Sequence, residues 1–469
     1  MAFSLSLLPP VAVSHWYQDG QATYFLYPMA LMLGLGGLLW FPVRRRTLEL
    51  RSRDGFIIVA LFWTVLGVFS SLPFHFCPQL QLGYTQAIFE AVSGFTTTGA
   101  TMIVGLDHLP PSLLYYRQQL HWLGGMGIIV LAVAILPILG VGGMELYRAE
   151  TPGPIKDDKL TPRIANTARY LWFIYVGLTT ACALAFWLGG MSLFDAICHS
   201  FATVSTGGFS THDASFGYFQ SPGLEMIANV FMLLAAMNFA VHFVAWRRRS
   251  LRIYRRDYET VGFLLIAAGI TVVVSVTLWW QAVYPDLLTA FRYGAFQTIS
   301  ILTSTGFTTA AFAEWPSFLP ALLIYISFIG GCAGSTAGGM KVVRVLLLVK
   351  QALREIGRMI HPHSVMLVKI GERPMRESVI SAVWGFFFLY VFSTTTLTLL
   401  LIATGLDVLT AYSAVAACLN VLGPGLGAVA SNFSGVSDTA AWILTVAMLL
   451  GRLEIFTLFV LLTPAFWRK

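Results

Sequence analysis

Four short segments of this chain say nearly the same thing: Thr97-Thr98-Gly99, Ser205-Thr206-Gly207, Ser304-Thr305-Gly306 and Val421-Leu422-Gly423. Each follows a short apolar stretch that is itself preceded by a long one, and each leads into another long apolar stretch. Long span, short apolar segment, Gly-containing turn, long span is thus repeated four times, and a repeat of this kind fixes the architecture before any element is read singly. Small residues ending in Gly, at membrane depth and in four copies, are what a ring of backbone carbonyls around a dehydrated cation requires.

Composition agrees with a membrane setting. Of 469 residues 57% are hydrophobic and 11% charged, and mean hydropathy is +0.74. A soluble domain carries about twice that charged fraction. The 42 glycines suit close helix packing and broken helices in lipid. A net charge of +7 in a soluble chain would suggest nucleic acid; here the basic residues are gathered in a few loops, so topology accounts for them and no nucleic-acid partner is expected. The five cysteines form no CxxC pair and read as small buried hydrophobes. The first residues lack a basic n-region and a small-residue cleavage site, so no signal peptide is expected.

Along the chain, residues 1–15 are apolar but short and contain Pro9-Pro10. Spans follow at 23–41 and 55–74. The first unit then comprises 55–74, a short segment at 84–94, a turn at 95–101 and an inner span at 118–141. The second comprises 168–190, 193–203, 204–211 and 223–246; the third 260–283, 287–303, 304–309 and 318–349; the fourth 376–404, 408–420, 421–429 and 439–464. The short segments are too short to cross a bilayer, which takes about 20 residues, and suit re-entrant helices. The expected fold is an all-α polytopic membrane protein: an N-terminal part at 1–54, then four pore repeats at 55–145, 146–257, 258–355 and 356–469.

Charge orients the units. Arg44, Arg45, Arg46, Arg51 and Arg53 precede the first; Arg148, Lys156, Lys159, Arg163 and Arg169 the second. Arg247, Arg248, Arg249, Arg252, Arg255 and Arg256 precede the third, and a run from Lys341 to Arg376 the fourth. All fall on one face if each unit crosses twice, which makes that face cytoplasmic and the Gly turns outward-facing. Arg117 and Arg292 are exceptions.

A cation the size of potassium sheds its water when about eight oxygens replace it, and four loops of successive carbonyls supply them. The expected donors are Thr97, Thr98 and Gly99; Ser205, Thr206 and Gly207; Ser304, Thr305 and Gly306; and Asn420, Val421, Leu422 and Gly423. The fourth turn has Leu422 where the others show Thr, so one quarter of the ring reads as chemically unlike the rest. Re-entrant helices aiming their C-terminal ends at the pathway also favour a cation.

Two further features lie at membrane depth. Gly330, Gly331, Gly334, Gly338 and Gly339 interrupt the inner span of the third unit, where exposed backbone is tolerated only if it lines a cavity or packs on protein. This segment reads as a candidate gate, a static packing break being the plainer alternative. It is not a nucleotide P-loop, since Met340 separates Gly339 from Lys341. Arg452, two residues before Glu454, lies in an apolar run; a costly intramembrane charge faces a water-filled path or finds a structural partner. Glu90 reads as capping backbone more than as attracting cations. Asp286 and Arg292 read as interfacial, and His212 and Asp213 as a solvated loop at the mouth.

The turns Gly94-Phe95-Thr96-Thr97-Thr98-Gly99-Ala100-Thr101, Val204-Ser205-Thr206-Gly207-Gly208-Phe209-Ser210-Thr211-His212-Asp213 and Asn420-Val421-Leu422-Gly423-Pro424-Gly425-Leu426-Gly427 resemble the pore loops of the TrkH/KtrB potassium-transporter family, its TrkH branch best. The resemblance covers the chain from about residue 20. It implies potassium uptake across a bacterial inner membrane, with K+ as the ion and Rb+ as its surrogate. It also implies a homodimer, a cytosolic nucleotide-binding regulator of the TrkA kind, an intramembrane loop at Gly330–339 and a pore-facing barrier at Arg452. Two extra helices usually precede the first repeat, and the first of them looks truncated here. A Na+- or H+-coupled, weakly selective symporter on the same scaffold is the alternative. A membrane enzyme would need a His/Asp/Glu or Ser/His cluster at depth, which the sequence does not offer. A structural scaffold would leave the four turns without purpose.

Overall fold

The computed structural model describes residues 1–45, 52–130, 160–371 and 373–468. Among the described residues the fold is helical apart from one two-residue antiparallel pairing, Lys369–Ile370 with Arg373–Pro374. Five helices among the described residues are long and apolar enough to cross a membrane, and two bent pairs would bring the number to seven. Arg46, Arg51, Arg148, Lys156, Lys159 and the stretch 131–141 of the first inner span lie outside the described residues.

At the N-terminus a 3-10 turn, Ala2–Leu7, runs into a short helix, Leu8–Tyr17, followed by a full span, Ala22–Trp40. Residues on either side of the short helix are tied to the first inner helix, Pro111–Val130: Gln119 Nε2 donates to the Ser6 carbonyl at 2.7 Å, and Ser112 N donates to Asp19 at 3.0 Å.

The outer helices are Ser52–Ser70, extended by Leu72–Phe76, then Leu160–Leu188, Tyr258–Trp280 and Glu377–Ala403. Each precedes a short pore helix: Tyr84–Thr96, Leu193–Val204, Leu287–Leu302 and Val408–Leu419. The pore helices are buried along most of their length, so their polar residues, Glu90, His199 and Gln297 among them, lie inside the protein. Their N-termini are capped. Ser192 accepts from Asp195 N at 3.0 Å, Asp286 from Thr289 N at 2.8 Å, and Asp407 from Thr410 N at 3.1 Å. Gln86 instead reaches back to Gly83 N at 3.1 Å. Asp286 is therefore a helix cap, satisfying an end that would otherwise leave orphan N–H groups.

The inner helices depart from the sequence reading. The spans expected as continuous at 223–246 and 439–464 are both broken: Pro222–Ala236 meets Phe239–Arg248 at 98°, and Asp438–Arg452 meets Phe456–Leu462 at 112°. The first break follows from Asn238, whose side chain caps the new helix by accepting from Ala240 N at 2.8 Å. The second passes through Glu454 and Ile455, at φ +54° and +51°. The third inner span is split as the glycines require, into Leu319–Ser327 and Val342–Ile360 with a loop between. Broken helices free backbone groups that must be satisfied within the protein, and here the breaks satisfy each other. Ala236 O accepts from Cys332 N at 2.8 Å, and Gly334 O accepts from Phe239 N at 3.1 Å.

Candidate functional site

Each pore helix ends in the same cap. A residue in the left-handed region follows the helix: Thr97 (φ +58°), Thr206 (+52°), Ser304 (+54°) and Val421 (+59°). The next N–H reaches back five residues to the helix, Thr98 to Ser93 O, Gly207 to Ala202 O, Thr305 to Ser300 O and Leu422 to Ala417 O, each at 2.8 Å. This is the Schellman arrangement, which normally places Gly at the left-handed position. None of the four uses Gly there, and three are β-branched, so each holds strain of about 1–3 kcal/mol that the surroundings must sustain.

The glycine comes two positions after the left-handed residue, at Gly99 (φ +85°), Gly208 (+80°), Gly306 (+83°) and Gly423 (+98°). The second turn is thus in a register one residue later than its letters suggest. Gly208, rather than Gly207, is the counterpart of Gly99, Gly306 and Gly423, and Ser205 is the counterpart of Thr96, Thr303 and Asn420. The chemistry at the preceding position changes accordingly. Thr98 and Thr305 occupy it in the first and third turns, where their hydroxyls meet Thr96 and Thr303 at 2.8 Å. Gly207 and Leu422 occupy it in the second and fourth. Two opposite turns therefore differ from the other two, in place of the single odd quarter expected.

The glycines close the ring. A Cβ on Gly99 would lie 2.2 Å from the Gly207 carbonyl oxygen, and one on Gly208 1.9 Å from that of Thr305. One on Gly306 would lie 1.9 Å from that of Leu422, and one on Gly423 2.9 Å from that of Thr98. Turn one meets two, two meets three, three meets four and four meets one. Only a residue without Cβ permits backbone to approach backbone so closely. The same device lets inner segments reach the helix ends: a Cβ at Gly124, Gly338 or Gly451 would fall 1.9–2.1 Å from the carbonyl oxygen of Phe95, Asn420 or Leu419. Thr96, Thr97, Thr98, Ser205, Thr206, Ser304, Thr305, Asn420, Val421 and Leu422 are all buried. Four helix C-termini thus converge on one small ring, a place whose partial negative charge suits a cation.

Above the ring a cavity of about 460 Å³ is lined by Gly99, Gly208, Gly306 and Gly423 together with Arg117, His212, Asp213 and Glu314. Behind it Glu90 is fully buried and accepts from Met102 N at 2.8 Å, Thr101 Oγ1 at 3.0 Å and Arg117 Nε at 2.9 Å. Arg117 also donates to Ser210 O at 3.1 Å and lies over the Phe209 ring. The pair ties the first turn to the second, which accounts for a basic residue on the face otherwise poor in them. His121 does likewise lower down. Phe209 N donates to its Nε2 at 3.3 Å, so the proton sits on Nδ1, which donates to Gly94 O at 2.9 Å. Arg292 pairs with Glu225 at 2.5 Å.

At the mouth His212 contacts Asp107 at 2.5 Å and Asp195 at 3.6 Å and stacks on Tyr218. Burial alone would lower its pKa, but the hydrogen bonds and charges of the two aspartates outweigh it and leave the imidazole raised. Asp107 is held below the usual carboxylate range; burial opposes this, and His212 overcomes it. Asp213 accepts from Gly105 N at 3.0 Å, so this loop is built rather than merely solvated.

Below the ring lies the glycine loop, with Gly330, Gly334 and Gly339 at φ +71°, +71° and +73°. Gly330 and Gly338 are in backbone contact, and Gly331 packs on Ala236 and Ala337. Glu259 ties the middle of the loop to the start of the helix that follows, accepting from Ala333 N at 2.8 Å and Val343 N at 3.1 Å. Arg452 is buried and donates from Nη1 to the Thr336 carbonyl at 3.0 Å, while its Nε and Nη2 find no partner among the described residues. Glu454 pairs with Arg344 at 2.5 Å, not with Arg452. A buried guanidinium with two unpaired nitrogens implies water or a polar passage beside it.

Known proteins resemble this chain over nearly its whole length. The TrkH family model, described as cation transport protein, matches residues 23–469. A Trk system potassium uptake protein TrkH of Vibrio parahaemolyticus is 55% identical over all of this chain and 97% of its own length. Its namesake in Escherichia coli K12 is 53% identical over 100% and 97%, and the Trk system potassium uptake protein TrkG of that strain 44% over 100% and 96%. A crystal structure of the potassium transporter TrkH from Vibrio parahaemolyticus superposes with a TM-score of 0.93 at 52% identity, covering 100% of this chain and 97% of that one. With a family match over nearly its whole length, the chain belongs to the TrkH family of cation transport proteins.

Proposed function

We propose that this chain takes up potassium across the bacterial inner membrane through the four-turn ring, as the names of its relatives suggest for them. The observation that carries the reading is the closed cycle of glycine-to-carbonyl contacts from Gly99 round to Gly423, directly below an outward cavity. Ions enter the cavity, lose water to the carbonyls of Thr97, Thr98, Gly99, Thr206, Gly207, Gly208, Ser304, Thr305, Gly306, Val421, Leu422 and Gly423, and leave past Arg452 and the glycine loop. Ser205 and Asn420, one step further back, contribute by holding the turns. Arg452 acts as an electrostatic barrier that the loop anchors in place through Thr336.

The two-fold chemistry of the ring supports a second reading, weaker discrimination against sodium than four identical turns would give. The same scaffold serves a symporter, and rubidium is the practical surrogate ion for either. The regulator is a cytosolic nucleotide-binding subunit of the TrkA kind, in keeping with relatives named as parts of a system. The assembly is a homodimer, for which the exposed apolar side chains Val349, Leu353, Ile356 and Met359 of Val342–Ile360 offer a contact surface.

Expression in bacteria that lack their own potassium uptake tests the reading. Growth at submillimolar potassium should be restored by the chain and not by a Gly306→Ser variant made at the same level. Equal growth with either would remove the ring from the transport path.

A further inference from the structure

The glycine loop is fastened to the turns above it partly by the turns' own groups. Gly338 N donates to Ser304 Oγ at 2.5 Å. Thr336 Oγ1 lies 3.0 Å from Val204 O and 3.1 Å from Ala235 O, donating between them. Asn420 Nδ2 donates to Ser327 Oγ, where the loop begins, at 2.6 Å, and Tyr390 donates its hydroxyl to Asn420 Oδ1. Ser304 is the left-handed residue of the third turn, Val204 closes the second pore helix, and Asn420 immediately precedes the left-handed Val421. The loop thus grips three turns. The corresponding hydroxyl of the first turn, Thr97 Oγ1, is buried and has no partner among the described residues.

We propose that Ser304 and Thr336 form a clasp that couples the ring to the loop. The loop lies shut only while the second, third and fourth turns keep their shape, and release of the loop removes a support from those turns. Ion occupancy of the ring and position of the loop then bias each other reciprocally, as linkage requires. Ser304 is a positioning residue in this role. Its backbone belongs to the ring, but its hydroxyl belongs to the clasp. This inference rests on the pore reading above.

The energetics assign a direction. Without the Ser304 hydroxyl, Gly338 N–H is buried and unpaired in the shut state alone; when the loop swings away that N–H meets water. Leaving a buried donor unsatisfied is far costlier than the net worth of one hydrogen bond, so Ser304→Ala penalises the shut state selectively. Thr336→Val removes the loop-side donor with little change of shape.

The test is rubidium and sodium uptake into liposomes holding the purified full-length chain without any regulator. It compares the parent, Ser304→Ala, Thr336→Val, the double variant and an Arg452→Ala control. Each clasp variant should raise rubidium uptake at least about fivefold. In Thr336→Val the rubidium-to-sodium ratio should stay within about twofold of the parent, and the double variant should gain less rubidium uptake than the product of the single gains. Uptake equal to the parent while Arg452→Ala passes rubidium would overturn the clasp alone. A collapsed ion ratio in Thr336→Val would also overturn it, because the loop hydroxyl would then be shaping the ring itself. Should Ser304→Ala fail to fold, Thr336→Val, whose change is confined to the loop, decides the matter on the same criterion. If the Arg452→Ala control passes no rubidium, the pore reading falls and the clasp with it.

Discussion

Arg452 donates to the backbone oxygen of Thr336 across 3.0 Å, joining the fourth inner helix to the loop that splits the third. Thr336 in turn spends its hydroxyl on the second pore helix and the second inner helix. Three repeats therefore meet at one residue directly under the ring, with the guanidinium as the charged member of the contact.

Loss of that charge should ease cation passage twice over, by removing the barrier and by freeing the loop. At about 4 Å and an effective dielectric near 20, like unit charges repel by about 4 kcal/mol. Arg452→Ala should raise rubidium flux by tenfold or more in liposomes, and Arg452→Lys, which keeps the charge, should recover less than half of that gain.

The register of the second turn makes its own prediction. Gly208→Ala should be as damaging as Gly306→Ala, because both would drive a Cβ to 1.9 Å from a neighbouring carbonyl oxygen. Each should cut the rubidium-to-sodium flux ratio at least about tenfold. Gly207→Ala meets the His121 ring instead, at 2.5 Å, so its defect should be partly relieved by His121→Ala, whereas that of Gly208→Ala should not.

Glu90→Gln should destabilise the protein by about 3–5 kcal/mol, since it leaves the buried Arg117 charge uncompensated. The thermal midpoint in detergent measures this. Replacing both members, as Glu90→Gln with Arg117→Met, should cost less than the single change, because no lone charge is then left buried.

His212 sets a pH dependence at the outer mouth. Its pKa is raised in the folded protein, so its contribution to stability is complete below the unfolded value of about 6.5 and is lost as pH climbs through the folded one. Asp107, with its pKa lowered, contributes above the unfolded carboxylate value and fades only as pH falls through its own folded value, well to the acid side. Of these two groups, only the histidine titrates between pH 6 and 8. The contribution of His212 to the thermal midpoint should fall modestly from pH 6 to pH 8, by the equivalent of no more than about 1 kcal/mol, and His212→Gln should flatten the slope by that amount.

Much of this was legible in the letters, and the limits are instructive. The sequence places the pore helices within a residue or two, because apolar segments too short to cross a bilayer stand out between long spans and Gly-containing turns. The second turn misled because Ser205-Thr206-Gly207 copies the letters of Ser304-Thr305-Gly306. The better signal was Gly208-Phe209 beside Gly306-Phe307, which aligns the glycines correctly. The breaks after Ala236 and Arg452 escaped because hydropathy is blind to a bend. Asn238, a helix cap inside an apolar run, was the available clue. Arg452 was readable as one charge in an apolar helix. Its partner was not, since Thr336 offers a carbonyl, and backbone leaves no trace in composition. The bond from Gly338 to Ser304 was illegible for the same reason.

The central claim is that the four turns form one ion-selecting ring. Rubidium and sodium uptake into proteoliposomes, parent beside Gly306→Ser, tests it most directly. The account predicts that the parent prefers rubidium and that the variant loses this preference while still passing ions. A variant with the parent's rate and the parent's preference would contradict it.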